Sequence, residues 1–143
     1  NRPLSAELSR RVFAYTAMAG DIKSIGNHIR SISALSAQQA LSRIKFSSCG
    51  EKELGGVLEL VKCNLMDALA MMEVFDAEKV KNVIRREEEI DVRVREALDS
   101  HLRRFHSREC SPEAGPIFVE MLGHLERISD LCNNVAEYLW DIQ

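Results

Sequence analysis

Glu126, Asp130 and Asn134 stand at successive four-residue steps near the end of a 143-residue chain. Four residues advance an α-helix by slightly more than one turn, so these oxygen-bearing side chains form one row along a helix axis. Two carboxylates and an amide oxygen in such a row are hard ligands of the kind that hold a divalent cation. The same row is also an ordinary solvated face, because like charges four residues apart cost only ~0.2–0.5 kcal/mol. Helical periodicity centres the row opposite the apolar stripe of its own helix. It is therefore expected to face solvent or a partner, and a cation held there needs further ligands from another helix.

A second acidic group, Glu87-Glu88-Glu89 followed by Asp91, lies on a preceding helical segment. Arg85 with Glu89, Glu89 with Arg93 and Asp91 with Arg95 are all four apart, so most of this charge can be balanced along the helix surface. Glu87 alone falls on the apolar seam, where it reads either as a polar registry residue or as a ligand facing the bundle interior. The histidines assemble into no catalytic constellation: His124 and Glu126 are two apart and point different ways, and His101 and His106 are isolated and expected at the surface or an edge. No Glu-x-x-His, glycine-rich phosphate loop or nucleophile elbow occurs in the sequence, so no enzyme is expected.

These residues have to be positioned by helices. Charged residues make up 29% and hydrophobic residues 45%, while the chain holds 7 glycines, 3 prolines and 6% aromatics, a balance that favours helix over sheet. The length suits one compact domain with its own core. A net charge of −3 offers no positive field for phosphate backbones, so nucleic-acid binding is not expected. The four cysteines are widely spaced, with neither a zinc-ribbon nor a disulfide pattern. No apolar run approaches the roughly 20 residues that cross a bilayer.

Hydrophobic periodicity predicts four helices. Leu4, Leu8, Tyr15, Met18, Ile22, Ile25, Ile29 and Ile32 share a face over residues 4–38. Ser48-Cys49-Gly50-Glu51 has the form of a capping box opening a second helix. Leu54, Leu58, Val61, Leu65, Ala68, Met72 and Phe75 then alternate steps of four and three, a seam packed on antiparallel neighbours. Asp76 offers an N-cap for a third helix running to about His106. Its predicted core face includes Val83, Ile84, Ile90, Val94, Leu102 and Phe105, and Pro116 marks the start of the fourth helix. Four long helices with short connections predict an all-α, antiparallel up-down bundle.

The run from His124 to Glu137, His-Leu-Glu-Arg-Ile-Ser-Asp-Leu-Cys-Asn-Asn-Val-Ala-Glu, resembles the signature helix of the PhoU family, close to L-E-R-I-G-D-H-A-x-N-I-A-E. Gly20-Asp21-Ile-Lys-Ser-Ile-Gly-Asn27-His28 through Ile32 is similar to a second copy, and the family is built of tandem three-helix repeats. On that resemblance, residues 1–46 are the last helix of a first repeat and its linker, and residues 47–143 a complete repeat, together one compact domain. Arg103-Arg104-Phe105, Cys110 through Gly115, and Ile117-Phe118 resemble the C-terminal cytosolic part of bacterial sodium-dependent phosphate cotransporters.

The resemblance implies a non-catalytic regulator of phosphate uptake that docks on partners. Those partners would be a membrane-embedded transporter portion of the same chain or, in a free-standing PhoU-type protein, phosphate-signalling proteins; a plain helical interaction module without metal is the remaining alternative. It also implies a homodimer at the cytoplasmic face of the membrane. Its E(D)-x-x-x-D motifs imply a divalent or iron/zinc-type metal ion held by Glu126 and Asp130 with Asn134 following, and Glu87 and Asp91 are further candidates. In the first copy Lys23 stands where an acid belongs, leaving Asp21 and Asn27 as a degenerate motif, because a charged ammonium repels cations. Leu131 replaces the histidine beside Asp130 and removes a second donor there.

Overall fold

Three of the four helices start where a polar side chain satisfies amides that the first turn leaves without partners. In the computed structural model, which describes residues 5–143, the helices are α1 (Ala6–Leu41), α2 (Ser48–Glu73), α3 (Ala77–His106) and α4 (Ala114–Asp141). Leu4, expected on the first apolar face, lies outside the described residues. The Ser5 hydroxyl accepts from the Leu8 amide at 3.1 Å, and Asp76 accepts from the Glu78 amide at 2.9 Å. These caps are worth about 1 kcal/mol each. Pro116 sits in the first turn of α4, where its missing N–H costs no helical hydrogen bond.

The start of α2 corrects the predicted capping box by one residue. Ser47, extended at φ −62° and ψ 158°, is the cap, and its hydroxyl accepts from the Gly50 amide at 3.0 Å. A Cβ on Gly50 would lie 3.2 Å from Ser47 Oγ and 3.4 Å from Phe118. A side chain at residue 50 would push the capping hydroxyl back by a few tenths of an ångström.

The chain forms an antiparallel four-helix arrangement with no strand among the described residues. Helices α2, α3 and α4 pack against one another in every pairing, whereas α1 packs against α4 alone. The core between α2, α3 and α4 holds Val57, Val61, Met71, Val83, Ile90, Phe118 and Leu122, all nearly or fully inaccessible. Burying side chains of this size stabilises by about 1.5–3 kcal/mol each.

The packing of α1 explains a departure from its predicted face. Ala14, Met18 and Ile25 are buried against α4, while Leu8, Tyr15 and Ile29 remain about half exposed. One neighbour covers only a narrow stripe of a helix whose apolar arc is broad.

Two further core expectations are corrected. The buried line of α2 is Val57, Val61, Asn64, Ala68 and Met71, so Leu58 lies half exposed and Leu65 only partly buried. The true seam passes through an amide. Asn64 is fully buried, donates to the Val83 carbonyl at 3.3 Å and accepts from Arg86, which is itself paired with Asp67. In α3, Ile84, Leu102 and Phe105 are exposed while His101 and Arg104 are buried. Arg104 earns its place inside through Glu53 Oε1 at 2.6 Å and Ser100 Oγ at 2.7 Å, since a buried guanidinium needs a paired charge. His101 lies against Phe118, ring centroids 5.4 Å apart, rather than at the surface.

Candidate metal centre

Glu87 and Asp91 are four residues apart on α3, and Glu126 and Asp130 are four apart on α4. Each pair projects from one face of its helix, one turn apart. Because α3 and α4 pack together, the two faces meet. One carboxylate oxygen from each of Glu87, Asp91 and Asp130 lies within 4.8 Å of the others. Glu126 joins them as a wall, with Asp91, Asp130, Arg95, Val94 and Leu98, of a cleft of about 310 Å³.

This placement puts the α4 row beside a second helix that carries further acids. Asp130 is exposed and Glu126 half-buried, and both border the acids of α3. Of the three ion pairs expected along α3, only Arg93 with Glu89 forms, at 2.9 Å. Asp91 is directed at Glu87 and Asp130 instead.

The electrostatics follow from packing acids against acids. Burial pushes the Glu87 carboxyl up to about 8, helped by hydrogen bonds to Asp91 and Asp130 and by their charges. A carboxylic acid at that value keeps its proton at neutral pH and donates it to a neighbouring carboxylate. Asp130 is raised by burial and by the Asp91 charge, against the pull of its bond to Glu87. Glu126 is raised by burial and by the charges of Asp91 and Asp130, with Arg127 and Arg95 offsetting part of the effect.

These residues fit a cation. The proton on Glu87 occupies a place where positive charge is favourable, and all the donors are oxygens. Two ligands on opposite sides of one ion are at most about 4.6–5.2 Å apart for calcium-length bonds, whereas two oxygens of a tetrahedral zinc site are only about 3.3–3.6 Å apart. The acid oxygens lie within 4.8 Å of one another, a span that calcium-length bonds cover and that a zinc ion would have to draw in.

The other predicted site residues lie apart from this group. Asn134 is exposed on α4, a turn beyond Asp130, and does not line the cleft. Asp21 is half-buried on α1, where Oδ2 is buried without a hydrogen-bond partner and burial raises its carboxyl. Asn27 is exposed, and its backbone carbonyl accepts from the Ser31 hydroxyl at 3.1 Å. Since α1 touches α4 but not α3, neither residue reaches the α3 acids. The E-x-x-x-D spacing of Glu87 and Asp91, the same as that of Glu126 and Asp130, was the sequence signal that the two pairs could share a site.

Residues 55–139 match the family model described as PhoU domain. The chain belongs to the PhoU family. The matched segment covers most of α2, all of α3 and most of α4, and contains all four converging acids, whereas α1 lies before it. No curated protein and no solved structure matches the chain. Membership of the PhoU family points to a regulatory role in phosphate homeostasis, and the helical bundle is the architecture that membership entails. Among the described residues, no helix of this PhoU domain is long and apolar enough to cross a membrane.

Proposed function

We propose that the chain is a non-catalytic regulatory domain of phosphate uptake that binds a divalent or iron/zinc-type cation between α3 and α4 and acts by docking on a transporter. The observation that carries this reading is the meeting of Glu87 and Asp91 with Asp130, and of Glu126 beside them, inside the matched PhoU segment. A bound cation would replace the Glu87 proton and tie α3 to α4. Asp91 and Asp130 would supply charged oxygens, and Glu126 would close the cleft. Asn134 stands a turn beyond Asp130 outside the cleft lining, and Asp21 and Asn27 lie on α1, which packs on α4.

The finer assignment is the cytosolic part of a sodium-dependent phosphate cotransporter. It rests on the resemblance of the α3–α4 connection, Cys110 through Gly115, and its flanking residues to that group. The mutual packing of α2, α3 and α4 supports residues 47–143 as one repeat. The attachment of α1 to α4 alone suits the closing helix of a preceding repeat. On this reading the domain lies at the cytoplasmic face of the membrane, docks on the transporter portion and pairs with a second copy.

Calorimetric titration of the metal-free chain with Mn²⁺, Zn²⁺ and Ca²⁺ tests the metal reading. Saturable binding that is lost in Asp91→Asn/Asp130→Asn is the expected result. Equal heats in the variant and the parent would leave the reading without support. Phosphatase turnover dependent on the same acids would overturn the non-catalytic assignment.

A further inference from the structure

Helix α1 rests on α4 alone, and two ring contacts fix how the pair is aligned. Phe13 meets Tyr138 edge to face with centroids 6.4 Å apart, and His28 meets His124 with centroids 5.2 Å apart. Fifteen residues separate the two contacts on α1 and fourteen on α4, so the helices run antiparallel in step. Counting on from Tyr138, the last residue of α4, Asp141, stands level with about residue 10 of α1. The turns of α1 before that level overhang the bundle, with no helix beside them among the described residues. Residues 5–13 are exposed without interruption. Leu8 and Val12 are about half exposed there and Phe13 is 68% exposed, an apolar patch on an unsupported helix end.

We propose that this overhang is the self-association surface of the domain: two copies lay their first α1 turns side by side and antiparallel, so that Leu8 of each packs on Val12 and Phe13 of the other. The assignment rests on the pairing with a second copy proposed for this PhoU domain and gives that pairing a surface. A two-fold contact has to be self-complementary. Antiparallel apposition of one helix end with its own copy meets that condition, because a residue near the tip touches one further in and the reverse contact is its equal. The two bundles then extend in opposite directions from the contact and do not compete for space.

Charge supports the same occupant. Phe75 lies against Trp140 with centroids 6.2 Å apart, so the α2–α3 turn and the close of α4 form one end of the bundle, the end from which the overhang leaves. Glu73, Asp76, Glu137 and Asp141 stand at that end against Lys79 and Lys81. The overhang carries Arg10 and Arg11, the second paired loosely with Glu7 at 3.7 Å. Antiparallel overlap carries both arginines to the partner's Asp141 and to the carboxyl end of the α4 that bears it, where the helix dipole favours cations. Trp140 and Val74, both exposed, extend the apolar surface at this end. With these neighbours the first three turns of α1 present about 20 residues a side, the number that an interface of about 800 Å² per partner requires.

The test is analytical ultracentrifugation of the full chain over a range of concentrations, in the parent and in Leu8→Glu/Phe13→Glu. An acid at residue 8 lies in the first turn of α1, where it favours the helix, so the variant keeps its fold. The parent should dimerise, and the variant should do so about a hundredfold more weakly, because two carboxylates are forced into an apolar contact. Ser9→Cys, close to the two-fold axis, should give a disulfide-linked dimer under mild thiol oxidation. Neither the parent nor Ser36→Cys, towards the far end of α1, should give it. A dimer that survives the two glutamates, or that does not link through residue 9, overturns this surface and leaves the pairing itself in place. A parent that stays monomeric at every concentration overturns both.

Discussion

Glu87 on α3 and Asp130 on α4 bring carboxylate oxygens within 4.8 Å of one another across the helix seam. Residues from two helices thus form one titrating unit with Asp91. The unit is stable in one of two ways: with a proton at its centre or with a cation there.

The pH dependence of the metal-free protein follows from that choice. Glu87 moves from an ordinary value of 4.5 to about 8 on folding. A carboxyl raised in this way stabilises the fold fully at low pH and loses that contribution as pH rises from about 4.5 to about 8. Glu126 and Asp130, also raised, act in the same direction. Melting followed by circular dichroism in chelator should therefore give a lower Tm at pH 9 than at pH 6, and Glu87→Gln should flatten the slope. An upward slope in the parent would show that the acids are not packed as described.

Removing charge should have opposite effects with and without metal. Asp91→Asn/Asp130→Asn relieves repulsion and should raise the Tm of the metal-free chain. The parent should overtake it once a divalent ion is added, because a ligand at a hundredfold its Kd stabilises by about 2.7 kcal/mol. Thermal shift assays in chelator and in Mn²⁺ compare the two directly. A variant less stable than the parent in both conditions would assign these acids a structural role.

Core placement separates two leucines that periodicity alone treats alike. Leu122 is fully buried on α4, and Leu122→Ala should cost about 2–5 kcal/mol. Leu65 lies on the flank of α2, with Asn64 taking the buried position. Leu65→Ala should cost about 1 kcal/mol, the centre of the range for ordinary substitutions. Urea unfolding of both variants measures the difference, and equal losses would place the α2 seam back at Leu65.

Much of the local structure was legible in the residues. Asp76 capped the helix it was expected to cap, and the third helix ended at His106. Pro116 lay within two residues of the start of α4. What failed did so for a common reason. Asn64, His101 and Arg104 are buried polar residues, and an apolarity pattern passes over them because their burial depends on partners distant in the chain: Val83, Phe118 and Glu53. At the start of α2 the cap is Ser47 rather than Ser48, its hydroxyl accepting from the Gly50 amide.

The sequence by itself determined the four helices, their order and the azimuth at which each acid leaves its helix, since spacing along a 3.6-residue period fixes direction around the axis. It did not determine what stands opposite. Only the tertiary structure decided that Glu87 and Asp91 confront Asp130 and Glu126, and that His28 meets His124. It also decided that α1 rests on one helix rather than three. The reason is that helices are fixed by contacts a few residues apart, whereas sites are made where helices meet. Which helices meet is settled by how several apolar stripes are buried together.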